Sequence, residues 1–223
     1  MISKTRASQA GLSLIELMIA IALGIFITAA MISLFVNSKQ SFRINENMSR
    51  LQENGRFAVS YLSRDIPMAD YRACTVANQL NNAVSGTDGI IVDPQTGYES
   101  VAPDTVTIVY QTNACGTANA TTTTVYSIQT GSSGNPALFR NIDGTSQELV
   151  DGIEDLQFLY GEDTDNDKVP NHYVDVTSIT DMAQVISIRF TLIARTLEAN
   201  ITADGGRATR AFSSTITLRN RLP

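Results

Sequence analysis

The densest grouping of chemistry-bearing side chains is Asp163, Asp165 and Asp167, at alternate positions in the run Gly161-Glu162-Asp163-Thr164-Asp165-Asn166-Asp167-Lys168-Val169-Pro170-Asn171. Carboxylates at that spacing resemble the opening of a twelve-residue loop whose oxygen ligands converge on calcium. Counted from Asp163, the run departs from that pattern at two places. Lys168 stands where the turn glycine belongs, and Val174 occupies the twelfth position, normally a glutamate. Asn171, Asp175 and the Val169 carbonyl could complete a shell. The other reading is an acidic turn in water, held by Asx-type hydrogen bonds. Three like charges so close repel one another unless a cation joins them, and the sequence leaves both readings open.

Catalytic chemistry finds no comparable footing. His172 is the only histidine, beside the acidic run, where a surface position is expected. No Ser-His-Asp or Cys-His set assembles around it, and no phosphate-binding glycine loop occurs. The chain reads as a non-enzyme that requires no cofactor. At net charge −6 and pI near 4.7 it is also unsuited to general phosphate-backbone binding, which needs clustered Lys and Arg. Arg207, Arg210, Arg219 and Arg221 form a local basic group, read as solvated strand faces.

A different chemistry sits near the beginning. Glu16 is the one charge in Gly11–Val36, an otherwise apolar run long enough to cross a bilayer as a helix. A carboxylate at membrane depth is costly and marks a functional position with a partner to be found. A basic leader containing Lys4 and Arg6 precedes the run and ends at Gly11, so the inviting processing point lies before the apolar segment. A secretory signal is cut after it.

The helix pattern continues past Val36. Ile44, Met48, Leu51, Gly55, Ala58, Leu62 and Ile66 recur at steps of three and four, one stripe of an amphipathic helix. Glu46 and Arg50 add an i,i+4 pair. Pro67 disfavours continuation, so a helix over residues 12–66 is predicted, roughly 80 Å long at 1.5 Å per residue. Residues 12–36 would be transmembrane and 37–66 amphipathic. Gly24 and Thr28 suit close helix packing, and no proline interrupts the segment.

From residue 67 to 223 the texture is that of a β-rich head. Short strands are predicted at Thr105–Gln111, Thr122–Ile128 and Ala137–Ile142, with the Thr121–Thr124 run at an exposed strand or loop edge. Leu149–Tyr160 reads as one strand with Leu156, Phe158 and Tyr160 on a face. Residues 186–194, apart from Ile193 on the polar side, and 212–218 alternate as antiparallel strands with one buried side, around a long or mobile loop at Gly205-Gly206. The expected fold class is α+β: a long N-terminal helix, transmembrane in its first half, packed on an antiparallel β-sheet.

The order of basic leader, Gly11, then an apolar helix carrying Glu16 resembles the class III signal of type IV pilins and pseudopilins. The resemblance implies removal of residues 1–11 by prepilin peptidase and methylation of the new Leu12 amine, at a position usually held by phenylalanine. It also implies pairing of Glu16 with the Leu12 amine of a neighbouring subunit during assembly, where two charges neutralise each other in a low-dielectric bundle. Further along, Leu51–Ala58, Val150–Gly161 followed by the aspartate-rich turn, Ile186–Arg189 and Ser214–Arg221 resemble PilW-type minor pilins, relatives of the J-type minor pseudopilins.

That family implies a structural subunit of a priming or tip complex that starts pilus assembly and supports twitching and adhesion. Its partners would be other minor pilins, the major pilin and a tip adhesin. It would reside in the inner membrane with its head in the periplasm, then in the pilus at the cell surface. In that oxidising compartment the lone pair Cys74 and Cys115 is expected to form a disulfide. A metal site lacks neighbouring ligands at suitable spacing, and two reduced thiols would fit a cytoplasmic head. Two other functions share the anchor: a minor pseudopilin of type II secretion, and a tip module whose residues 75–145 bind DNA or a surface.

Overall fold

The computed structural model describes residues 13–73, 80, 83–92, 99–111 and 121–222. Gly11, Leu12, Cys74 and Cys115 lie outside them. The chain divides into two compact units, Met1–Glu46 and Asn47–Pro223. One helix, α1 (Leu14–Asp65), supplies the described part of the first unit and the opening of the second. It ends where the sequence places its stop, passing into a 3-10 turn, Ile66–Met68, with Pro67 in the first turn.

From Leu14 to Val36 the helix surface is almost wholly apolar and is exposed. Its most apolar 18-residue window has a mean hydropathy of 2.6, and none of it is buried. Leu14, Ile15, Phe26, Leu34 and Phe35 are each at least 66% exposed. The helix is long and apolar enough to cross a membrane.

The second unit holds the core. Here the helix carries most of the predicted stripe: Leu51, Gly55, Ala58 and Leu62 are buried, as is Ile66 in the turn that follows, while Met48 is half-buried. Among the described residues the strands that follow are β1 (Val84–Thr87), β2 (Ile90–Val92), β3 (Glu99–Val101), β4 (Thr105–Gln111), β5 (Thr121–Thr130), β6 (Pro136–Ile142), β7 (Thr145–Asp151), β8 (Ile153–Glu162), β9 (His172–Val174), β10 (Val185–Arg195) and β11 (Thr209–Thr217). They form not one sheet but two larger sheets, ordered β1-β4-β5-β6-β7 and β11-β10-β8-β9, with β2 and β3 a separate ribbon. All pairings are antiparallel. Val106, Ile108, Tyr126 and Leu138 of the first sheet share a single core with Leu156, Phe158, Ile188, Phe190 and Leu192 of the second and with the helix stripe. Each large side chain removed from water this way contributes about 1.5–3 kcal/mol.

The α+β expectation therefore holds, with local corrections. Leu149–Tyr160 is not one strand. Gly152 interrupts it at φ +76, a left-handed conformation that glycine adopts without steric cost, and the chain passes there from the first sheet to the second. A Cβ at Gly152 would also lie 2.9 Å from the Arg195 carbonyl oxygen. Thr121–Thr124 opens a central strand rather than an edge, and Thr124 is buried. The expected hairpin of β10 and β11 is present, and the long connection between Arg195 and Thr209 is internally bonded, with Asn200 N donating to Gly205 O at 2.9 Å and Ile201 N to Gly206 O at 3.0 Å, and Ile201 buried.

Candidate functional site

Glu16 lies in the first turn of α1, where the helix dipole favours a negative charge. Its neighbours Ile15, Leu17 and Ile19 are all more than half exposed.

The acidic run forms the connection from β8 to β9. The structure brings Asp163, Asp165 and Asp167 together, with one carboxylate oxygen from each within 4.8 Å of the others. Asp163 is buried and the other two are exposed. Backbone groups hold the loop. The Asp163 carboxylate accepts from the N–H of Asp167 (3.1 Å) and Lys168 (2.8 Å), and the Asp167 carboxylate from the N–H of Val169 (2.8 Å). Asn166 and Lys168 take positive φ, +62 and +74, so Lys168 adopts the turn conformation for which glycine is the usual choice. The side-chain oxygen of Asn171 is turned to Thr164, accepting from its N–H at 2.6 Å and its hydroxyl at 3.0 Å. The Asn171 side chain, followed by the Asp167 N–H, holds the Asp165 carboxyl below the usual aspartate range. The loop thus presents three convergent, ionisable oxygen donors, the chemistry of a hard divalent cation.

Beside it lies a group that the sequence reading did not single out. Glu162 is fully buried; its carboxylate accepts from the N–H of Thr180 (2.8 Å) and Asp181 (3.0 Å) and lies 3.0 Å from His172 Nε2. Burial pushes its pKa up, but the two backbone donors and His172 together outweigh that and hold it below the usual range. The signal was present: Glu162 continues the inward alternation of Leu156, Phe158 and Tyr160. His172 itself is near the surface, its side chain 45% exposed.

The basic group near the end is only partly solvated. Arg207 donates to the carbonyls of Thr196 (2.9 Å) and Leu197, and Arg221 to those of Met182 (2.6 Å) and Val185 (2.8 Å). Burial lowers the Arg221 pKa. Both arginines tie chain segments together. Arg210 lies over the Phe212 ring and remains exposed, as does Arg219.

No curated protein and no solved structure matches the chain. A family model described as Type IV Pilus-assembly protein W matches residues 125–206, from within β5 to the turn before β11. The matched stretch includes the Val150–Gly161 motif, the aspartate-rich loop and Ile186–Arg189. It lies wholly in the second unit, so it is independent of the apolar helix, and it supports the resemblance of this chain to the PilW family.

Proposed function

We propose that this chain is a minor pilin: a non-enzymatic structural subunit of the type IV pilus priming or tip complex, supporting twitching and adhesion. The observation that carries the reading is the conjunction of a head similar to pilus-assembly protein W with a helix whose uncovered apolar stretch bears one carboxylate, Glu16. In this reading the leader is cut after Gly11, Leu12 is methylated, and Glu16 pairs with the Leu12 amine of a neighbouring subunit. The helix anchors the protein in the inner membrane, head in the periplasm, until assembly with other minor pilins and the major pilin. The Cys74–Cys115 disulfide and calcium at Asp163, Asp165 and Asp167 belong to the same proposal. The PilW match favours a pilus over a type II secretion role.

Mass spectrometry of the mature protein should find methylated Leu12 at its N-terminus, and Glu16→Ala should leave the protein processed and membrane-inserted but scarce in sheared pili. Cleavage after the apolar run, or normal piliation and recovery of Glu16→Ala, would sink the reading. A deletion that leaves pili intact and blocks secretion would replace it with the pseudopilin alternative.

A further inference from the structure

The two larger sheets have four outer edges: β1, β7, β9 and β11. An edge strand offers a row of unpaired N–H and C=O groups, which folded proteins guard with short strands, bulges, proline or charge. Three of these edges are guarded. β1 has four residues and β9 three. β7 pairs across an irregularity at Leu138/Phe139 and carries Glu148 and Asp151.

β11 is neither short, bulged nor proline-bearing, and its one charge is Arg210 near its start. It runs nine residues, Thr-Arg-Ala-Phe-Ser-Ser-Thr-Ile-Thr, without lysine or proline. Its register with β10 is unbroken from Ser187↔Thr217 to Arg195↔Thr209. Thr209, Ala211, Ser213, Thr215 and Thr217 are exposed. Among the described residues no backbone hydrogen bond reaches β11 other than those to β10.

The charge around this edge identifies what suits it. Residues 205–223 contain four arginines and no acidic residue, in a chain of net charge −6. Exposed Arg210 lies near the start of β11, and exposed Arg219 just past its end. A second copy fits poorly: antiparallel self-pairing about Ser213 would set Arg207 against Arg219. We propose that β11 is a strand-addition edge that receives an extended segment of a different protein, with acidic residues at both ends. Main-chain hydrogen bonds would supply affinity, and the flanking arginines selectivity. The inference concerns an edge of the fold and does not depend on the pilus reading.

The test uses the full chain in detergent micelles with a peptide of nine residues, matching β11, that alternates threonine and valine and has aspartate at each end. Amide hydrogen exchange within Thr209–Thr217 should slow by about tenfold or more at saturating peptide. Replacing the terminal aspartates by lysines, or making Arg210→Glu with Arg219→Glu, should weaken binding by about tenfold. A peptide with a central proline should give no protection. No slowing in β11, equal protection by the lysine-ended peptide, or protection through dimerisation without peptide would each overturn the proposal.

Discussion

The Tyr126 hydroxyl donates to Asp65 Oδ2 across 2.5 Å, joining the last residue of α1 to the middle strand of the five-stranded sheet. Arg140 of β6 donates to the same oxygen at 3.2 Å, and Arg64 to Oδ1 at 3.0 Å. Burial, then Asp65, raises the Tyr126 pKa, so the phenol stays a donor at any ordinary pH. Asp65→Ala should strand the buried hydroxyl and one face of Arg140, costing about 1–3 kcal/mol of head stability. Tyr126→Phe removes donor and need together and should cost less. Urea unfolding of both variants checks the order.

Gly55 faces Phe212 so closely that a Cβ would lie 2.2–2.7 Å from three of its ring carbons. Gly55→Ala should therefore destabilise the head by about 1–3 kcal/mol through overpacking, although alanine is the better helix former by about 1 kcal/mol. Gly24→Ala meets nothing within 4 Å and should leave head unfolding unchanged. A more stable Gly55→Ala variant would contradict this packing.

Glu162 gives a pH dependence of fixed sign. Its folded pKa lies below the ordinary value, so its contribution is present above the unfolded pKa and is lost as pH falls through the folded one. The wild-type head should lose stability between about pH 5 and 3 more steeply than Glu162→Gln, and the variant should be less stable at neutral pH. Parallel melting curves across that range would refute the assignment.

For the aspartate loop, a cation binding only the folded head stabilises it by mass action, about 2.7 kcal/mol at a hundredfold excess over Kd. Millimolar calcium should raise the melting temperature relative to chelator, and Asp165→Ala should abolish the difference while leaving the chelated protein folded. An unchanged wild-type melting temperature would make the loop a solvated turn.

Periodicity made the helix legible because Leu51, Gly55, Ala58, Leu62 and Ile66 are all buried, and a stripe at steps of three and four has no other purpose. The alternation of β10 and β11 was legible for the same reason. The division into two sheets was not, since Leu149–Tyr160 reads as one apolar run and only the φ of Gly152 divides it. The aspartates announced themselves by spacing. Tyr126, Arg140 and Asp65 did not, because their partnership spans 61 and 75 residues and leaves no local pattern. Arg207 and Arg221 misread as solvated because carbonyl acceptors have no sequence signature.

Gly152 has a consequence for the order in which the head is made. Every strand of the first large sheet precedes it and every strand of the second follows it. All strand pairings of the first sheet can thus be complete while residues beyond Asp151 are still unsynthesised. Its β4-β5-β6-β7 meander is local in sequence, the arrangement that closes fastest. A chain that closes the first sheet in this way would leave the second to condense on it from Ile153 onward, with the left-handed Gly152 at the boundary.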